Sequence, residues 1–162
     1  MARGRRGPFL ETSVISYLSA FPSRDLVVAG HQQVTRDWWE QRTRFEQYVS
    51  EAVIEEAKRG DSDAARRRLD VLSEIPVLPA TREARELARS FLIAAALPAK
   101  AAFDALHVAL AAIHGMNFLL TWNCTHIANA EIRPELELLC WKSGYRPPAI
   151  CTPLELLGEE EP

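Results

Sequence analysis

Between Ala101 and Ile113 nearly every side chain is apolar: Phe103, Leu106, Val108, Leu110, Ile113 and a series of alanines. A helix of that composition leaves no face for water, so the segment Ala99–Gly115 is expected to lie sandwiched in the interior. Pro98 sits near its start, where proline is tolerated. Two residues break the pattern, Asp104 and His107. A carboxylate in such a place costs several kcal/mol, roughly, unless it is hydrogen-bonded, ion-paired or bound to a metal. Lys100, one turn earlier, is one possible partner for Asp104, and the positive end of the helix is another. His107 reads first as a satisfied core histidine, and second as a group that orients Asp104 or touches a substrate.

After Gly115 the run Asn117–Thr121 has strand character, and in Trp122-Asn123-Cys124-Thr125-His126 the side chain of Asn123 can cap a new helix. His126 then falls near a helix start, at the rim of any pocket there. A buried helix acid beside a strand with polar residues at its C-terminal end describes half of a site in an open α/β sheet, where ligands gather beyond the carboxyl ends of the strands.

The rest of the chain supplies the other half. Pro8–Glu11 reads as a first strand, with Thr12-Ser13 opening a helix through Val14, Ile15, Tyr17 and Leu18, so Glu11 stands where strand meets helix. That position suits a carboxylate that shares a cation, and equally an ordinary exposed glutamate. A helix follows over 25–43, with Val28, Val34, Trp38 and Trp39 as expected core contacts; the paired tryptophans read as packing before base stacking. Phe45–Val49 alternates like a strand, and Ser50 caps the helix Glu51–Arg59. There Val53 and Ala57 face inward, which puts Glu56 beside the buried stripe, Glu55 further out and Glu51 in the first turn. Ser62–Leu72 is a charged helix whose Arg66-Arg67-Arg68 reads as a solvated face or a phosphate contact. A short strand at Ile75–Leu78, a helix over Thr81–Ala96, a last helix Glu131–Gly144 and a last strand Ala149–Thr152 complete the alternation. Strands alternating with helices imply a three-layer α/β/α fold with a mostly parallel central sheet.

With 162 residues, 48% of them hydrophobic, one domain over 1–162 is expected, with residues 1–7 and 158–162 as frayed tails. A net charge of −3 gives no global basic field, so contact with nucleic acid must be local. Three cysteines without CxxC spacing read as reduced thiols in a cytoplasmic protein, and no run reaches membrane-spanning length. Glu11, Thr12, Ser13 and Ser16 interrupt what would otherwise be the apolar core of a signal peptide.

Glu11, Glu56, Asp104 and Asn123 resist a core explanation, and a parallel sheet brings such strand-end positions together. Converging carboxylates repel one another unless a cation neutralises them, and hard oxygen ligands select Mg²⁺ or Mn²⁺. Such ions activate water and stabilise charge on a phosphodiester. The paired aspartates of a strand-end phosphoryl nucleophile and the GxGxxG of a dinucleotide binder are both missing.

These residues carry a resemblance. The run Phe9-Leu10-Glu11-Thr12-Ser13 resembles the opening of PIN-domain proteins; Ser50–Gly60 with Glu56 is similar to their second motif, Asp104–Ala109 to their third and Leu119–Asn123 with His126 to their fourth, and Ile150–Leu154 fits the close of the domain. The resemblance implies a Mg²⁺- or Mn²⁺-dependent endoribonuclease of the VapC-like group, the toxin of a type II toxin-antitoxin pair, with RNA as substrate, a cognate antitoxin as partner and a homodimeric state. It implies Glu11, Glu56 and Asp104 as metal ligands, Asn123 in support, and Ser13, Glu51 and Thr121 as the residues behind them, with His126 beside them at the rim. The sequence departs from the family where Glu11 stands for the usual aspartate, which moves the carboxylate by about 1.5 Å. That departure motivates a second reading, a PIN-like module that binds RNA or protein without cutting.

Overall fold

The computed structural model describes residues 6–94 and 97–159. Most of the expected tails lie outside that range, as does Ala96, the expected end of one helix. Five parallel strands form one sheet: β1 (Arg6–Leu10), β2 (Glu46–Ser50), β3 (Val77–Leu78), β4 (Phe118–Leu120) and β5 (Ala149–Cys151), in the order β3-β2-β1-β4-β5. Between them run α1 (Thr12–Ser19), α2 (Leu26–Glu40), α3 (Glu51–Ala57), α4 (Ser62–Leu72), α5 (Arg82–Ile93), α6 (Ala102–Ile113) and α7 (Arg133–Lys142). Helices α1 to α4 pack mainly among themselves and α5 to α7 among themselves, as right-handed crossovers to opposite faces of the sheet require, and the two groups meet where α3 touches α6. The expected α/β fold is the observed one.

From β1 the chain moves outward through β2 and β3, then returns to the other side of β1 with β4 and β5. The reversal falls between β1 and β4, whose register is Phe9 to Leu119 and Leu10 to Leu120. Glu11 and Thr121 therefore leave adjacent strand ends at the one place where helices diverge and open a crevice. Helix α6 lies against this core with Ala105, His107, Val108, Ala109, Leu110, Ala111 and Ala112 buried. Its first turn, at Phe103 and Asp104, is only partly covered, so the acid sits at the edge of the interior.

Local chemistry explains most boundaries. Asp25, Ser50, Asp61 and Thr81 each accept a backbone N–H at a helix start. Several expectations need correction. Glu11, not Thr12-Ser13, caps α1, through its own side chain. No helix starts at Asn123: among the described residues its side chain accepts only the His126 N–H, and residues 124–128 form turns. Strand β1 starts at Arg6, so Arg6 and Gly7 belong to the sheet; Gly7 has φ +97° at a bulge, and a Cβ there would come within 3.3 Å of the Phe9 nitrogen. The buried face of α2 is Gln32, Thr35 and Trp38, not Val28 and Val34. Gln32 holds the backbone of Ser23 and Phe21, while the Trp122 indole donates to Thr35. Arg67 and Arg68 are drawn into structure, donating to carbonyls of Ser19, Ala57 and Arg59, whereas Arg66 pairs with Asp63 on the surface. No helix among the described residues is long and apolar enough to cross a membrane.

Candidate active site

Glu11 is 4% exposed, directly after β1. All three of its side-chain hydrogen bonds among the described residues go to one oxygen, Oε2, from the Ser13 N–H, the Ser13 hydroxyl and, at 2.7 Å, the Thr121 hydroxyl. The two hydroxyls are fixed in turn. Ser13 Oγ accepts the Trp122 N–H at 2.8 Å, and Thr121 Oγ1 accepts the Asn123 N–H at 2.9 Å. The longer side chain of glutamate is thus folded back into the helix cap, and Oε1 is left for another ligand. Ser13 and Thr121, expected behind the acids, both bond Glu11.

Glu56, on the last turn of α3, faces the same point from the neighbouring strand's connection. Glu11, Glu56 and His107 each offer a ligand atom, and the three atoms lie within 4.8 Å of one another. His107 is fully buried, with Nε2 3.1 Å from Glu56 Oε1. The Thr12 hydroxyl lies beside Glu56, is buried, and has no hydrogen-bond partner among the described residues. That is an orphaned donor at the mouth of a carboxylate group, and it fits a site that takes up an ion with its water.

The other expected residues are placed close by but engaged differently. Asp104 does not join the three-residue group, and no ion pair links it to Lys100 among the described residues; its Oδ2 is 2.9 Å from His126 Nδ1. Both side chains keep some exposure, 15% and 19%. Asn123 is half-buried and uses its oxygen to hold the loop that carries His126. Glu51 points elsewhere: it is exposed and accepts the Ala80 N–H at 2.8 Å, lining a separate groove of about 600 Å³ with Val77, Arg85, Phe103 and Leu106. His107 is the residue that sequence reasoning left in the core. The signal was its spacing, one turn beyond Asp104 on a helix otherwise built of alanine and aliphatic residues.

Electrostatics follow the geometry. Burial alone would lower the His107 pKa, yet the Glu56 hydrogen bond and the charges of Glu11, Glu56 and Asp104 raise it above 6.5. Burial alone would raise Glu56, but the His107 hydrogen bond and charge, with the Arg59 charge, hold it below 4.5. In chelator, both shifts become stability. The raised histidine stabilises the fold fully below pH 6.5 and loses that contribution as pH rises through its folded pKa. The depressed glutamate contributes above pH 4.5 and loses its share as pH falls through its own folded value. The resistance of metal-free protein to urea should therefore fall on both sides of a plateau. His107→Gln should flatten the alkaline limb; an unchanged alkaline limb would contradict the pairing.

Thr121 gives a separate check on Glu11. Thr121→Val keeps the shape but removes the donor to a buried carboxylate, at a cost of about 2 kcal/mol. Thr121→Ser should stay within about 1 kcal/mol of the parent, since it keeps the hydroxyl. Equal stability of the valine and serine variants would show that the contact carries nothing.

A family model described as the PIN domain matches residues 9–123. Among solved structures, a chain of VapBC2 from Rickettsia felis, bound to a DNA fragment from their promoter, is similar in fold at 16% identity, with a TM-score of 0.57 over 89% of this chain and 96% of that chain. No curated protein matches significantly.

Proposed function

The chain belongs to the PIN-domain family, and from that premise we propose that it is a metal-dependent endoribonuclease hydrolysing RNA phosphodiesters, the toxin of a type II pair restrained by a cognate antitoxin. The observation that carries this reading is the meeting of Glu11 and Glu56 beside an orphaned hydroxyl, at the strand ends where the sheet reverses. Glu11 and Glu56 would hold a divalent ion, Mg²⁺ or Mn²⁺, with the Asp104 carboxylate and the neutral Asn123 amide completing the rim. Bound there, such an ion supplies charge for the scissile phosphate and a lowered pKa for the attacking water.

The chain's own groups do the remainder. Ser13 and Thr121 lock Glu11 Oε2, so its other oxygen meets a ligand without rearrangement. Asp104 accepts the proton of the attacking water and, being partly exposed, releases it to solvent, while His126 holds the carboxylate in place through Nδ1–H. The family likeness and the VapBC2 neighbour support an antitoxin partner; a homodimer of a single-domain, cytoplasmic protein is part of the same proposal.

A second reading, the binding module without catalysis, draws on the Asp104–His126 pair, which keeps Asp104 out of the group formed by Glu11 and Glu56. Purified protein incubated with structured RNA decides between them. Cleavage that requires Mn²⁺ or Mg²⁺ and stops with chelator is the expected result. RNA retention without any cleavage in either ion would establish the second reading.

A further inference from the structure

We propose that His107 is itself a ligand of the ion held by Glu11 and Glu56, which makes this a mixed nitrogen and oxygen site suited to Mn²⁺ in preference to Mg²⁺. The inference rests on the metal-dependent reading above and adds to it the identity of a ligand and of the ion. Three observations lead to it.

The ligand atoms of Glu11, Glu56 and His107 lie within 4.8 Å of one another, whereas Asp104 is turned to His126. Neighbouring ligands on an octahedral ion with bonds of about 2.1 Å stand about 3.0 Å apart. His107 Nε2 and Glu56 Oε1, at 3.1 Å, already span one such edge. The imidazole is also fixed in place, fully buried with the rings of Phe9 and Phe103 at 6.2 and 6.3 Å.

The buried Thr12 hydroxyl beside Glu56, without a partner, is an independent sign. The histidine–glutamate bond occupies Nε2 alone and leaves both His107 Nδ1 and that hydroxyl without partners among the described residues, while a water carried in by an ion would accept from the hydroxyl. On uptake the ion takes the lone pair of Nε2, and the proton that bridged to Glu56 leaves to solvent. Mg²⁺ demands oxygen ligands and gives up water reluctantly, whereas imidazole suits first-row transition ions.

The test is pulsed EPR of the full chain loaded with Mn²⁺, beside calorimetric titrations with Mn²⁺ and Mg²⁺. Wild type and His126→Gln should both show ¹⁴N modulation from a directly bound imidazole, and His107→Gln should lose it. Mn²⁺ should bind at least about tenfold more tightly than Mg²⁺, and His107→Gln should remove most of that margin. If His107→Gln does not fold, the His126→Gln protein decides alone, since coupling kept there comes from His107. Saturable Mn²⁺ binding without nitrogen coupling, or coupling that disappears with His126, overturns the assignment and leaves the metal-dependent reading standing. Failure of both ions to bind overturns the metal-dependent reading as well.

Discussion

Glu56→Gln should abolish RNA cleavage while the protein stays folded. The side chain is at the edge of the interior, 28% exposed, so an isosteric amide fits without a cavity. What changes is charge. Glutamine removes one of two carboxylates facing the proposed ion and replaces a charge-assisted bond to His107 with a neutral one. A kcat/KM loss of at least about a thousandfold, roughly 4 kcal/mol, is expected. Stability should fall much less, by about 1 kcal/mol, because the hydrogen bond survives in neutral form. Glu55→Gln on the same turn is the matched control, since Glu55 is exposed and among the described residues pairs only with Lys58. Single-turnover cleavage with saturating Mn²⁺ separates weakened ion binding from lost chemistry. Equal cleavage by the Glu56 variant and its parent would remove this site from the reaction.

Much of this site was legible in the sequence, because its parts obey local rules. Ser50 before an apolar helix marks the start of α3, and the inward spacing of Val53 and Ala57 places Glu56 at the stripe's edge. Glu11 could be located because an apolar strand run ends on it and a helix begins after it. The alternation of strand and helix then requires a parallel sheet, and a parallel sheet brings strand ends together. What escaped was pairwise and long-range. Nothing in the run Asp104–His107 says that the histidine turns to Glu56, 51 positions back, while the aspartate turns to His126, 22 positions ahead. Both distances are set by how α6 crosses the sheet. Lys100 was the local candidate for Asp104, and the tertiary partner won because it is held by the Asn123 turn beside the acid. The turn after Asn123 misled for a related reason: the cap signal was real, but Ile127 is buried and Ala128 donates back to the Asn123 carbonyl, which closes the segment before a helix can propagate. Even the replacement of aspartate by glutamate at position 11 is resolved by packing, with the extra methylene taken up in the cap.

Phe9→Ala should be the most destabilising single truncation near the site. Phe9 lies on the central strand, is fully buried, and pairs in register with Tyr48 on one side and Leu119 on the other. Neighbours on both sides leave it no room to relax, so the cavity persists and the cost is about 3–5 kcal/mol. Its ring is also one wall of the pocket that holds His107. Truncation therefore does two things at once: it lowers the urea midpoint at an unchanged slope, and it frees the imidazole to leave Glu56. Phe9→Leu refills most of the volume and should lose about half as much. The decisive comparison is with Phe21→Ala, on a ring that is 72% exposed and should change stability by less than about 0.5 kcal/mol. If Phe9→Ala cost no more than Phe21→Ala, strand β1 could not be the centre of the sheet. Glu11 and His107 would then lose the shared support that brings an acid from one end of the chain to a histidine on α6.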